Sequence, residues 1–251
     1  ADFWEYDPAT HVWTQKANFC GSARSFAVGF SIGTKGYIGT GYDGGNTNDF
    51  WEWDQATNTW TQKSNFGGAI RCVAFGYSVG ARGYIGTGWN SGQHYNDFWE
   101  WDQASNTWNQ QANFGGASRA YAVGFSIGTK GYIGTGGTGT SWTKDFWEWD
   151  QANNTWTQQA NFGGFGGIDR SGTVGFAIGN KGYIGTGWGP GGNGYKNDLW
   201  EWDQNTNTWT QMANFGGTAR AWAAGFSIGN KGYIGTGSTS AGHAQDFWEW
   251  N

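Results

Sequence analysis

The chain has little charge and no long apolar run, and each scarcity removes a class of function. Charged residues make up 13% of the 251 residues, the formal net charge is −5, and the eight lysines and six arginines are scattered singly. Because no basic stripe is available to neutralise a phosphate backbone, we expect no nucleic-acid partner. The sequence contains no run of 18 apolar residues, so we expect no insertion into a membrane. No charged-then-apolar leader opens the sequence, which favours a soluble mature chain or an excised fragment.

Cysteine and histidine are also scarce. Cys20 and Cys72 form no Cys-x-x-Cys or zinc pattern, and two unpaired, mostly buried thiols are favoured over a single disulfide. His11, His94 and His243 fall in different parts of the chain and are interpreted as non-equivalent, which disfavours a clustered metal site. No Ser-His-Asp set, phosphate loop or cysteine nucleophile is visible. The sequence therefore predicts no catalytic residue, no metal and no cofactor.

Glycine and tryptophan are abundant, with 47 and 20 copies, and a repeat organises them. Aromatics at 19% with low charge favour a packed, turn-rich β domain over disorder. An Asp-Phe/Leu-Trp-Glu-Trp/Tyr motif recurs at spacings of 47 to 53 residues, beginning at Asp2, Asp49, Asp97, Asp145, Asp198 and Asp246. Gly-Tyr-Ile-Gly-Thr-Gly recurs from Gly36, Gly83, Gly131, Gly182 and Gly232. One structural unit has been copied five times.

Each unit predicts four short strands, which in the first copy are Arg24 to Ile32, Gly36 to Thr40, Phe50 to Trp53 and Trp60 to Phe66. A four-stranded antiparallel unit of this length is typical of a propeller blade. The two-residue period of a strand sends Trp51 and Trp53 to one side of the sheet, where Trp60 joins them from the next strand. We expect these tryptophans to hold neighbouring blades together, since one sheet cannot bury both faces alone.

The segment from Tyr6 through Asp7 and Pro8 to Trp13 resembles the third-to-fourth-strand signature of kelch repeats, and Gly36 to Gly41 resembles that family's second-strand glycines. The resemblance covers essentially the whole chain. It implies an all-β, kelch-type β-propeller of five four-stranded blades in a single domain over residues 1–251. The alternative is a fragment of a six-bladed or larger ring, because a third-strand motif stands at both ends. In the five-bladed arrangement, Asp2 to Phe19 would supply the outer strands of the sheet formed from Arg220 to Gly237.

The repeated charges are interpreted first as structure. Every glutamate occupies the same slot of the motif, and five of the six arginines share another, which suggests a copied Arg-to-Glu contact. The alternative is a ring of five arginines around an anion site at the channel mouth. Cations of the first hairpin, such as Lys35, lie on the same predicted face as acids of the other hairpin, such as Asp54. We expect these two sets to cancel.

The loop between the second and third strands differs among the copies, and this divergence predicts a ligand face. Exposed aromatics among Gly, Asn and Ser are typical of recognition loops. The kelch resemblance adds residues at the start of the first strand, where substrate adaptors of the family bind ligands. The candidate ligand-binding residues are Tyr42, Asp43, Trp89, Asn90, His94, Tyr95, Trp142, Trp188, Tyr195, Ser25 and Ser171.

The favoured function is a non-catalytic binding propeller with a protein partner, because the five loops do not match one another. The first alternative is a lectin-like propeller with a glycan ligand. The second, which rests on the resemblance to sugar-acting kelch enzymes, is an epimerase or mutarotase. Tandem or head-to-tail assembly through the terminal strands and a secreted or cell-surface location are further expectations.

Overall fold

The computed structural model describes residues 1–190 and 194–251, and all its regular elements are β-strands. The N-terminal hairpin contains β1 (Trp4–Asp7) and β2 (Val12–Gln15). The first repeat contains β3 (Val28–Ile32), β4 (Lys35–Gly39), β5 (Phe50–Asp54) and β6 (Thr59–Lys63). The second contains β7 (Phe75–Val79), β8 (Arg82–Gly86), β9 (Trp89–Asn90), β10 (Gln93–His94), β11 (Phe98–Asp102) and β12 (Thr107–Gln110).

The remaining repeats follow the same order. The third contains β13 (Val123–Ile127), β14 (Lys130–Gly134), β15 (Phe146–Asp150) and β16 (Thr155–Gln159). The fourth contains β17 (Val174–Ile178), β18 (Lys181–Gly185), β19 (Leu199–Asp203) and β20 (Thr208–Gln211). The fifth contains β21 (Arg220–Ala221), β22 (Ala224–Ile228), β23 (Lys231–Gly235), β24 (Ser238–Thr239), β25 (Gly242–His243) and β26 (Phe247–Trp250).

Four repeats form the predicted four-stranded antiparallel meanders, and the fifth forms a sheet of three strands, β22-β23-β26. The first strands contact one another in the order β3, β7, β13, β17 and β22, so they surround the axis. The all-β propeller prediction is confirmed. The first strand begins at Val28 instead of Arg24 because Phe26 has a left-handed φ of 57°, which interrupts the ladder before it.

Aromatic side chains join neighbouring sheets as predicted. The ring centroid of Phe50 lies 5.2 Å from Trp101 and 5.0 Å from Trp108 of the next sheet. Phe98 repeats this arrangement with Trp149 at 5.1 Å and Trp156 at 5.1 Å. Such edge-to-face pairs contribute about 0.5 to 1.5 kcal/mol each beyond the area that they bury. The tryptophan face of one sheet therefore packs on the phenylalanine face of the sheet before it.

The glycines of the second strand make room for this packing. A Cβ at Gly83 would overlap the ring of Phe30, and a Cβ at Gly131 would overlap the phenol of Tyr77, each from the preceding sheet. The Gly-Tyr-Ile-Gly motif is therefore an interface motif as well as a strand.

The N-terminal hairpin occupies a sixth position around the axis. Tyr6 and Trp13 contact Phe247 of the fifth sheet at 4.9 and 5.1 Å, as Trp101 and Trp108 contact Phe50. On its other side, Phe3 contacts Trp53 at 4.9 Å. The prediction that Asp2 to Phe19 supply the outer strands of the fifth sheet is wrong, because β26 pairs with β23 and β1 pairs with β2. A loop like those of the other repeats connects β23 to β26, so these two strands pair with each other as the second and third strands do elsewhere.

Candidate functional site

A buried arginine clamp fixes the loop face in every repeat. Arg71 donates from Nη1 and Nη2 to the two carboxylate oxygens of Asp97 at 2.5 and 2.8 Å, and from Nη1 to the carbonyl of Thr87 at 2.7 Å. Its side chain is 0% exposed, with the Phe66 ring 4.9 Å away. The other copies pair Arg24 with Asp49, Arg119 with Asp145, Arg170 with Asp198 and Arg220 with Asp246. The clamp holds the segment just before the innermost strand against the end of the variable loop.

The clamp corrects both interpretations of the arginines. The carboxylate partner is the aspartate that opens the motif, because it stands at the loop end where the arginine enters, whereas the glutamate lies three residues further along the strand. An anion site of five arginines at the channel mouth is excluded, since each guanidinium is buried in its own sheet and neutralised. Burial acts to raise the pKa of Asp145, but the hydrogen bonds and charge of Arg119 outweigh it and hold that pKa below its usual value.

The glutamates serve a second copied network. Tyr84 donates its hydroxyl to Glu100 at 2.7 Å and accepts a bond from Gln151 of the next sheet at 2.9 Å. Burial, with the neighbouring carboxylate, raises the pKa of Tyr84. The hairpin charges on that edge cancel as expected, with the Lys35 ammonium 2.5 Å from Asp54. This edge of the ring carries paired charges in each repeat.

The channel mouth is lined by the residue two positions after each clamp arginine. These mouth residues are Phe26, Val73, Tyr121, Gly172 and Trp222, and all five have left-handed backbones, with φ between 52 and 62°. A series of backbone hydrogen bonds joins these residues. Each amide, starting with that of Trp222, donates to the carbonyl of the mouth residue in the preceding repeat, and the series ends at the Phe26 carbonyl, with distances of 2.8 to 3.1 Å. Phe26 is 47% exposed and Trp222 is 39% exposed. Sequence reasoning missed this set, although its variation among the copies was a signal.

Outside the mouth, each repeat presents three paired side-chain positions, here called the loop triplet. They are the residue after the clamp arginine, the residue after the Gly-Thr-Gly turn, and the residue three before the motif aspartate. The triplets are Ser25-Tyr42-Asn46, Cys72-Trp89-His94, Ala120-Gly137-Trp142, Ser171-Trp188-Tyr195 and Ala221-Ser238-His243. Eight of the eleven predicted site residues belong to these triplets. The backbone pairing of these three positions is therefore the same in every repeat, while their side chains and the loop lengths differ.

The triplets also correct the interpretation of the histidines. His94 pairs with Trp89, and His243 pairs with Ser238, so the two occupy the same place in their repeats. Among the described residues, no group of three or more His, Cys, Asp or Glu side chains is arranged to hold a metal ion.

Three of the predicted residues meet in one depression of about 320 Å³. His94, Trp142 and Ser171 line it together with Tyr121 from the mouth and the Gly139 to Ser141 segment. A Cβ at Gly139 would lie 2.8 Å from Cε1 of His94, so the imidazole lies against the backbone of the third loop. Burial lowers the pKa of His94 and raises that of Tyr121. Near neutral pH the depression is therefore lined by uncharged hydrogen-bonding groups and one indole.

A second aromatic group lies beside the mouth. The Trp188 ring contacts Tyr195 at 4.7 Å and lies 6.4 Å from Trp222 at an interplanar angle of 15°. The mouth itself encloses about 460 Å³ between Phe26, Tyr121 and Trp222. Residues 191–193 of this fourth loop lie outside the described part of the chain.

The remaining predicted residues support the loops. Asp43 accepts a hydrogen bond from Ser22, which lowers its pKa, and Asn90 accepts one from Asn46 at 2.8 Å. Tyr95 stacks under the guanidinium of Arg71 at 4.2 Å, so its ring forms part of that clamp. Tyr42 is 46% exposed and pairs through its backbone with Ser25.

The cysteines are unpaired, as expected, with Cys72 buried and Cys20 exposed instead of buried. Within the described ranges, no helix is long and apolar enough to cross a membrane.

Comparison with known proteins informs the fold. No family model and no curated protein matches the chain. Among solved structures, one described as "Structure of YjhT" is similar with a TM-score of 0.81, covering 95% of this chain and 84% of that chain at 15% sequence identity. At this identity the likeness concerns the fold alone, and it agrees with the propeller architecture. Kelch membership stays a prediction.

Proposed function

We propose that the chain is a non-catalytic binding propeller whose ligand surface is the loop face, made of the mouth residues and the loop triplets, and that its partner is a protein. One observation carries this proposal. Five copies of the same backbone pairing, each fixed by the same clamp, present five different sets of side chains, so the face as a whole is asymmetric. An asymmetric surface suits a single partner that touches several repeats at once.

Exposed aromatics on this face supply the hot-spot chemistry of protein interfaces. Phe26, Tyr42, Trp142 and Trp222 are each 39 to 47% exposed, and Phe165 in the insertion before the fourth repeat is fully exposed. Apart from the clamps, which are neutralised, few charges lie among them. Such a surface loses little solvation when a partner covers it.

The depression between His94 and Trp142 favours a second candidate, a glycan. Its volume of about 320 Å³ lies at the lower end for small-molecule sites. An indole for stacking stands beside the hydroxyls of Thr140, Ser141 and Tyr121, which suits a sugar ring with polar edges. Only one copy of this geometry exists among the described loops, so a glycan would bind at a single site.

Glycan and protein arrays probed with the intact chain separate the two candidates. Trp222→Ala removes mouth surface, Trp142→Ala removes the wall of the depression, and Trp4→Ala, 44% exposed on the N-terminal hairpin, is the matched control. For a protein partner, we expect Trp222→Ala to weaken the affinity measured by surface plasmon resonance at least tenfold, with Trp4→Ala unchanged. Loss of glycan binding in Trp142→Ala alone supports the lectin. A ligand whose affinity survives both loop-face substitutions contradicts the proposed surface.

A further inference from the structure

Three aromatic side chains meet at the channel mouth, although they come from alternate repeats. They are Phe26, Tyr121 and Trp222, here called the mouth cage. The ring centroids of Phe26 and Tyr121 lie 6.0 Å apart at an interplanar angle of 88°, and those of Tyr121 and Trp222 lie 6.2 Å apart at 60°. Because neighbouring rings are steeply inclined to each other, they form walls around the mouth cavity of about 460 Å³ instead of a stack.

The fourth repeat makes room for the contact between Tyr121 and Trp222. Its mouth residue is Gly172, and a Cβ there would lie 2.6 Å from Nε1 of Trp222, so the indole lies over this glycine. Two rings of the fourth loop pack beside the same indole, Trp188 at 6.4 Å and 15°, and Tyr195 at 6.4 Å and 90°. Trp222 is therefore held in place by its neighbours while 39% of it stays exposed.

The cavity between the rings is uncharged. Among the described residues that line it, none is acidic or basic: besides the cage they are alanines, Val73, Gly172 and the hydroxyl residues Ser25, Thr173 and Thr236. A carboxylate or phosphate group would find no cationic side chain there to neutralise it. A primary ammonium carries three donors and a strong hydration shell, and it would find few acceptors.

A quaternary ammonium group fits both properties of the cavity, its aromatic walls and its lack of charged partners. Such a group carries a permanent charge but no hydrogen-bond donor, so it needs no acceptor when it leaves water. Aromatic rings attract a cation that lies within about 6 Å of their centroids. Neighbouring rings of the cage are close enough for one cation to lie in this range of two of them. The formal net charge of −5 also favours the approach of a cation over that of an anion.

We propose that the mouth cage is a binding site for a quaternary ammonium group, carried by a free small molecule or by a trimethylated lysine of a protein. The three cage residues stand on left-handed backbones, with φ of 57, 58 and 56°. Such strained backbones cluster at binding sites, which agrees with this role. The inference rests on the proposed loop face, but it does not require the partner to be a protein.

Calorimetric titration of the intact chain with choline and with 3,3-dimethylbutan-1-ol tests the proposal. The two compounds have the same shape, but the second has carbon in place of the charged nitrogen. We expect saturable one-to-one binding of choline at millimolar concentrations and at least fivefold weaker binding of the neutral compound, because the rings attract only the cation. Equal binding of the two compounds overturns the proposal.

Substitutions in the cage locate the site. Trp222→Leu and Tyr121→Leu each remove one aromatic ring and keep an apolar side chain, so we expect at least fivefold weaker choline binding with little change for the neutral compound. Trp4→Leu, 44% exposed on the N-terminal hairpin, is the control and should bind choline like the wild type. An unchanged circular dichroism spectrum and thermal unfolding midpoint show that each variant keeps the fold. Choline binding that survives both cage substitutions contradicts the proposed site.

The amide of N-acetyl-trimethyllysine and its unmethylated counterpart identify the source of the group. Tighter binding of the trimethylated amide than of choline indicates a methylated protein, and the reverse indicates a small molecule. Equal binding of the two lysine amides, or no binding of either choline or the trimethylated amide, overturns the proposal. A protein partner that binds the loop face of a chain without affinity for these ammonium compounds contradicts the cage and leaves the proposed function intact.

Discussion

Arg71 and Cys72 are neighbours in the chain, yet the position of Arg71 is constant among the five repeats and the position of Cys72 varies. The first position is arginine in all five copies, because its buried site presents four fixed hydrogen-bond acceptors that match a guanidinium and no other side chain. The next position holds Ser, Cys, Ala, Ser or Ala, because its backbone pairs with the loop and its side chain is free to change. The clamp thus keeps the frame constant, and the frame permits variation one residue away.

Breaking one clamp should give the largest loss of stability among the substitutions compared here. In Arg119→Met, Asp145 keeps a partly buried charge without its partner, and we expect a loss of about 3 to 5 kcal/mol in the free energy of unfolding. Arg82→Ala is the control, because Arg82 pairs with Asp102 at the ring edge with 35% of its side chain exposed. That substitution should cost less than about 1 kcal/mol. Equal losses in urea titrations would contradict the distinction between clamp and edge.

A matched pair of glycine substitutions compares a closed interface between sheets, at Gly131, with the position of Gly36, where a Cβ would meet only Trp53 of its own sheet at 3.7 Å. Gly131→Ala places a methyl group against the Tyr77 phenol, and we expect a loss of about 1 to 3 kcal/mol from overpacking. Gly36→Ala makes the same change in the same strand position with free space above it, and should stay within about 0.5 kcal/mol. Chemical denaturation of both variants measures the difference. Similar values would show that the face of the first sheet at Gly36 is as closely packed as the interface at Gly131.

Acid should weaken the clamps with a smaller and gradual effect. The hydrogen bonds from Arg220 lower the pKa of Asp246 to about 2, from 3.8. A carboxyl whose folded pKa is depressed stabilises the fold above its unfolded pKa, and this contribution is lost as the pH falls from about 4 toward 2. We expect the urea midpoint to drop over this range.

The same titration sharpens the clamp comparison. In Arg119→Met, the unpaired Asp145 can be relieved by protonation, so the gap in stability between this variant and the wild type should narrow from pH 7 to pH 2. A gap that stays constant would mean that the lost packing of the arginine, and not the orphaned charge, causes the destabilisation.

The sequence predicted the strands and the packing side of the tryptophans, because a two-residue period and a fixed repeat determine both. It did not identify the clamp partner. Asp97 and Glu100 recur in the same motif with the same count, and only their positions relative to the loop end decide which one Arg71 meets. The triplets were predicted in large part from their divergence among the copies.

The mouth residues were missed for a different reason. A left-handed backbone is usually indicated in a sequence by glycine. Only one of the five mouth residues, Gly172, is a glycine, so the sequence did not indicate this conformation at the other four. A backbone fixed by hydrogen bonds to neighbouring repeats cannot be read from one segment of sequence. The sixth position of the N-terminal hairpin was foreseen only in the alternative of a six-bladed or larger ring, because its neighbours lie at opposite ends of the chain.

Four non-glycine mouth residues hold a conformation that costs L-amino acids roughly 1 to 2 kcal/mol each. Glycine, which the fourth repeat has at this position, adopts the same backbone without that cost. Valine is the least expected of them, because β-branched side chains suit this backbone poorly. The channel mouth therefore carries backbone strain at four of its five positions, and the side chains there come at the cost of that strain.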